Sequence, residues 1–274
     1  MLAFLIPAAL AVFLAAPDDA QDADAYAALL TLKDGEVLRR VPLGVAGRAA
    51  FLKRQDPDAD AGLLRRPSSV VFEHDAGKFK IAAHFHHGDD GPPLRDFVAR
   101  VLNLPLTRIV GDPALLGKKA NADYVVRKGA DRSALAVALA AAVSEQLDPK
   151  VSLAVEERKA PALVVTGKFS GATDKDMEIY AETEGADERR VGTRGGGGQA
   201  HMNESLATRL GLPTVNEANG AGKFFRWRFH RDVDAAKDDP ALRAKLFERL
   251  EKLTGLKYSV EERTLTVAVL EAAK

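Results

Sequence analysis

The stretch AHFHHGDDG, residues 83–91, carries the residue types of a divalent-cation site, imidazole beside carboxylate. His84 and His86 stand two apart in a strand-like pattern, so both rings face one side, and either Asp89 or Asp90 follows closely enough to close around a divalent ion. His87 faces the other way and no spacing supplies a further ligand, so a polar strand face competes with the metal reading. A second stretch, FRWRFHR at 225–231, alternates aromatic and cationic residues. Phe225, Trp227 and Phe229 share one face, which the alternation rule assigns to a core. Arg226, Arg228 and His230 then lie on the solvated face, where they can meet an acidic partner.

Three further strings invite chemistry and lose it on inspection. Asp56, Asp58 and Asp60 open like a calcium loop, but the sixth and twelfth positions hold Ala61 and Pro67 where glycine and glutamate are required. GGGGQA lacks the Gly-Lys-Ser/Thr ending of a phosphate loop, and its composition predicts a flexible linker. Val-Glu-Glu-Arg occurs twice, at 155–158 and 260–263. Adjacent glutamates on a strand point to opposite faces and cannot share a substrate. The chain also holds no Gly-x-Ser-x-Gly or His-Glu-x-x-His. No catalytic residue and no cofactor is expected, and a non-enzymatic role is the default.

The 274 residues contain no cysteine, which excludes disulfides, thiolate nucleophiles and cysteine-bound metals. Thirty-nine basic residues balance 39 acidic ones, so nothing in the charge calls for nucleic acid or an anionic membrane. Residues 1–16 are almost wholly apolar before PDDAQDADA begins. That length matches the core of a signal peptide and falls short of the ~20 residues needed to span a bilayer. The expectation is a leader over 1–21 and export to the periplasm or beyond. The alternative is an anchor left uncleaved, the only membrane contact foreseen.

The elements that must position these residues follow from periodicity. After a mixed segment, 22–77, KFKIAAHF predicts a strand, and PLRDFVARVLNL predicts a helix with Leu94, Phe97, Val98, Val101 and Leu102 on one stripe. ADYVVRKG predicts a strand, DRSALAVALAAAVSEQL a helix and KVSLAVEERKAPALVVTG a hairpin. The C-terminal third repeats this order: a helix ending at Pro213, the strand GKFFRWRFHRD, a helix with Asp239 as N-cap, Pro240 at its start and Gly255 as its stop, and a second hairpin over LKYSVEERTLTVAVLE. Pro105 and Pro213 are 108 positions apart and the two VEER strings 105, so two similar modules are expected, at 78–168 and 199–274, joined by a Gly-rich linker, 169–198. In this reading VEER is the charged corner of each hairpin. The expected class is α+β, each module a small mixed sheet with two helices.

Taken together, GKFKIAA, PLRDFVARVLNLPLTRIVGDPALLGKKANADYVV, VEERKAPALVV, LATRLGLPTVNEANGAGKFFRWRF and LFERLEKLTGLKYSVEERTLTVAVLE resemble, as an order of landmarks across most of 77–272, an uncharacterised family of exported soil-bacterial proteins. Each half is also similar to the short N-terminal domain of secretins and TonB-dependent receptors, whose ends read much like LTGLKYSVEERTLTV. The resemblance implies an envelope location and an α+β fold and carries over no catalytic residue; the leading segment 22–72 departs from the family pattern. The functional expectation is an exported, non-catalytic module that binds another envelope protein or itself. The alternative is small-ligand binding or metal-assisted hydrolysis at His84 and His86.

Overall fold

The computed structural model describes residues 17–58, 69–85, 91–119, 121–171, 177–181, 194–219 and 224–273. Among them the fold is α+β, with helices α1 (Pro17–Leu30), α2 (Arg48–Gln55), α3 (Leu94–Val101), α4 (Pro113–Leu116), α5 (Arg132–Ser144), α6 (Gln199–Leu210), α7 (Asp232–Ala235) and α8 (Pro240–Thr254). The strands are β1 (Leu38–Pro42), β2 (Ser69–Asp75), β3 (Lys78–Phe85), β4 (Ile109–Gly111), β5 (Ala122–Arg127), β6 (Val151–Gly167), β7 (Met177–Ile179), β8 (Arg194–Gly197), β9 (Thr214–Asn216), β10 (Phe225–Phe229) and β11 (Leu256–Ala272).

The chain divides into two compact units, Met1–Pro93 with Lys119–Gln146, and Leu94–Lys118 with Leu147–Lys274. This partition crosses the boundaries expected from the repeated order of elements. The first unit is a four-stranded sheet, β1-β5-β2-β3, in which β5 runs antiparallel to β1 and parallel to β2. Segment 22–77 is therefore no separate piece, because its strands complete a sheet around β5. Tyr26, Leu30, Phe51 and Leu52 of α1 and α2 pack on one face against Val70, Phe72 and Val125. By alternation Leu38, Tyr124 and Val126 face the other way, on the side where Arg40 meets Glu145 beyond the end of α5 at 3.0 Å. Covered on both faces, β5 is buried at five of its six positions.

The second unit holds two sheets, β4-β11-β6-β9 and β7-β10-β8. Its core joins Leu206 and Leu210 of α6, Leu246 and Leu250 of α8, Phe225, Trp227 and Phe229 of β10, and Leu163, Val165, Leu256 and Tyr258 of the long strands. Burial of each such side chain stabilises by roughly 1.5–3 kcal/mol. Asp239 caps α8 by accepting from the amides of Ala241 and Leu242, and Gly255 ends it in the left-handed region at φ 72°.

The two expected hairpins do not form. Val151–Gly167 is one strand, Leu256–Ala272 is another, and they pair with each other antiparallel along all 17 residues. VEER therefore lies in mid-strand and not at a corner. Its charges and Pro161 break the apolar alternation as a turn would, yet no residue there supplies the positive φ a tight hairpin needs. Pro161 is tolerated because its nitrogen points away from β11. Leu163, two residues on, donates outward to Pro213, and Val165 accepts from the amide of Glu217 on the same outer side.

The four-stranded sheet reads alike from either end. β9 pairs in parallel with Leu163, Val164 and Val165, and β4 pairs in parallel with Ala268, Val269 and Leu270, each position displaced by 105. Lys159 faces Thr264, also 105 apart, at the centre of the pairing. The helix endings correspond too. Leu104 donates to Ala99 and Leu212 to Ala207, both at 2.9 Å, while Asn103 and Gly211 turn the chain at φ 49° and 67°. The change of offset from 108 to 105 has a location: the 3-10 turn Leu106–Arg108, present after Pro105 and missing after Pro213.

The stretch 169–198, expected as a linker, contributes β7 and β8 to the second sheet. Its glycines are packing residues. A Cβ at Gly195 would stand 2.5 Å from the Trp227 ring, and one at Gly196 would stand 3.0 Å from Phe224 on the opposite face.

Candidate functional site

The β6–β11 ribbon places the two VEER strings side by side and antiparallel. Glu156 and Arg158 pair on one face, and the equivalent Glu261 and Arg263 pair on the same face at 2.9 Å, with Arg263 reaching Glu217 at 3.2 Å. Glu157 lies on the other face and accepts from the Thr266 hydroxyl at 2.5 Å. A hydrogen bond from Ser259, aided by Arg263, holds the Glu261 carboxyl below the usual carboxylate range. The glutamates are thus engaged in separate surface contacts and do not form an acid/base pair.

More informative is what the ribbon leaves unpaired. β4 and β9 each match only three residues of their long neighbours. Among the described residues, no strand pairs with the outer edge of Tyr258–Val267 or of Val151–Ala162. Glu156, Glu157, Arg158, Lys159, Pro161, Val260, Glu261, Glu262 and Thr264 are exposed. Because odd positions of β6 point outward, their partners Val260, Glu262 and Thr264 also present backbone N–H and C=O groups outward.

On β10 the expected division of faces holds, with Phe225, Trp227 and Phe229 each 1% exposed. Of the expected cations, two are drawn together and one stands apart. His230 Nε2 lies 2.8 Å from Glu178 Oε2, and Arg228 lies 3.4 Å from the other carboxylate oxygen. The Tyr180 ring meets His230 edge-on at 5.6 Å, and Arg249 stacks over that ring 3.2 Å from its centre. Arg226 is exposed opposite Gly196. Glu178, Tyr180 and Arg249 were not legible as members of this group. A three-residue strand within a polar stretch, and a helix residue far away in sequence, leave no spacing signal.

The metal candidate is only partly in view. His84 sits half-buried in β3 opposite Val70, while His86 and Asp89 lie outside the described residues. Among the described residues no group of three His, Asp or Glu side chains is placed to hold a metal. Asp56 accepts from the amide of Asp58 at 3.2 Å, the local turn such a residue makes without any ion, and Asp60 lies outside the described residues.

Two other polar groupings are of a different kind. In the first unit Arg48, 2% exposed, is bidentate to Asp123, with Nε–Oδ2 at 2.5 Å and Nη2–Oδ1 at 3.2 Å. Tyr26 donates to the same carboxylate, and the Val70 amide donates at 2.9 Å. Burial first, and the neighbouring Asp123 charge second, push the Tyr26 phenol well above its ordinary range. Sealed from solvent, this group ties α1, α2, β2 and β5 together. In the second unit a cavity of about 110 Å³ opens between the 3-10 turn and α6, lined by Pro105, Leu106, Thr107, His201, Glu204 and Ser205. Among the described residues the cavity brings no hydrogen bond between His201 and Ser205.

No described helix is long and apolar enough to cross a membrane. No protein-family model matches the chain, and neither a curated protein nor a solved structure matches it.

Proposed function

We propose that the protein is an exported, non-catalytic interaction module of the cell envelope that receives an extended segment of another protein along the open edge of β11. The observation that carries this reading is a 17-residue strand whose outer edge is paired, among the described residues, at three residues only. Unpaired backbone groups along such an edge add a partner strand by forming the hydrogen bonds the sheet has left unmade. The equivalent edge of β6 is blunted by Pro161, where β11 carries Thr266. Charged residues along both strands discourage indiscriminate pairing.

The envelope assignment rests on the leader-like N-terminus and on the resemblance of each half to the short domain of secretins and TonB-dependent receptors. N-terminal sequencing of the mature protein tests it. The same reading takes the helix–corner–short strand and helix–long strand segments as two copies of one unit, supported by the residue-for-residue register at 105. For the edge itself, the test is capture from envelope extracts by the wild-type protein and by Glu262→Pro. That substitution removes an outward N–H and leaves the β6 pairing intact. A partner retained by the wild type and lost by the variant is expected, with equal circular dichroism. Capture of the same proteins by both, or of none by either, rejects edge pairing.

A further inference from the structure

The outer face of the β7–β10–β8 sheet has a feature the ribbon lacks, a linear row of recognition side chains beside bare backbone. Phe224, Arg226, Arg228 and His230 occupy alternate positions, so all four project from one face at about 7 Å intervals. Phe224 is 68% exposed and its ring lies beside Gly196 on the same face as Arg226. On one side of the row runs β8, where Gly196 faces Arg226 and offers no side chain to crowd or neutralise it. On the other side Glu178 holds Arg228 and His230, and Tyr180 and Arg249 complete the wall.

The charges along the row are graded. Arg228 and His230 share one carboxylate, whereas Arg226 makes no ion pair among those between described residues. The exposed cation thus sits next to the exposed aromatic, with a partly neutralised stretch beyond. A polyphosphate backbone carries an anion at every repeat and would set one against the Glu178 carboxylate, which already occupies Arg228 and His230. An extended peptide, which presents alternate side chains at the same 7 Å spacing, can set one carboxylate on Arg226 and an apolar residue on Phe224 and pass Glu178 with a neutral residue.

We propose that this face binds an extended acidic segment of a partner protein, with Arg226 taking a carboxylate and Phe224 an apolar side chain. The proposal rests on the reading of the protein as an interaction module but uses a surface other than the β11 edge. The probe is a fluorescein-labelled eight-residue peptide with leucine and glutamate at two successive alternate positions and serine at the alternate positions beyond, followed by anisotropy with the full chain. Binding is expected to weaken as salt rises, to fall about five- to tenfold in Arg226→Glu, and to fall again in Phe224→Ala. Both residues are exposed, and circular dichroism and Trp227 fluorescence verify the fold of each variant. Glu262→Pro should bind the peptide like the wild type, so loss of the edge hypothesis and loss of this one give different patterns. Absence of binding at millimolar peptide, equal binding by Arg226→Glu, equal binding of a glutamine-substituted peptide, or preference for single-stranded DNA or anionic vesicles each overturns it.

Discussion

The protein makes two clusters from the same ingredients, arginine, carboxylate and tyrosine, and gives them opposite surroundings. In the first unit Arg48, Asp123 and Tyr26 are sealed, 2%, 0% and 0% exposed. In the second, Arg228, Glu178 and His230 stay 30%, 41% and 17% exposed at their side chains. Desolvation decides what each can do. A buried charge must keep its partner or destabilise the fold, so the first cluster is a fastening between helices and sheet. A wet ion pair adds little to stability and can exchange its partner for another, which suits a contact surface.

The largest effect expected from breaking this contrast is in Arg48→Met. It leaves the Asp123 carboxylate buried without its cation and should cost about 3–5 kcal/mol in denaturant unfolding. Adding Asp123→Leu should restore part of the loss, since the buried charge is then gone from both sides while the Tyr26 hydroxyl and the Val70 amide lose their acceptor. Gly195→Ala acts on the scaffold of the second cluster by driving a methyl into the Trp227 ring. A cost of about 1–3 kcal/mol is expected, visible in the fluorescence of the chain's one tryptophan.

Raising the pH probes the buried phenols of the first unit, Tyr26 within the sealed cluster and Tyr124 on the opposite face of β5. Burial pushes Tyr124 up to about 12, and Tyr26 is shifted further in the same direction. A phenol with a raised folded pKa keeps its contribution below pH ~10 and loses it as pH rises through the folded value. Thermal stability followed by circular dichroism should therefore hold to about pH 10 and decline above it. Tyr124→Phe should reduce the slope of that decline. The smallest effect is expected from Glu178→Gln, under about 1 kcal/mol. A cost comparable to that of Arg48→Met would erase the distinction between the clusters.

The helices were legible because each signal is local. Asp239, Pro240 and Gly255 mark α8 by capping chemistry, and the Leu94–Leu102 stripe marks α3 by period. The alternation in FRWRFHR correctly gave the inward and outward faces of β10. The hairpin expectation fails because a charged mid-strand segment, with Pro161 in one copy, looks the same in one dimension as a corner. Composition reads Gly195 and Gly196 as linker because it cannot reveal that Trp227 and Phe224 lie against them.

By itself the sequence determined the class of fold, most elements and the recurrence of VEER, since propensity, capping and alternation act over a few neighbouring residues. Tertiary structure alone decided which segments pair. It joined β6 to β11 over 17 residues, brought Glu178 and Arg249 to His230, and buried Arg48 against Asp123, 75 positions away. Those choices depend on which edges and faces meet when the core closes, and no local pattern encodes them. The repeated glutamates that suggested chemistry became, in three dimensions, the exposed middle of one continuous ribbon.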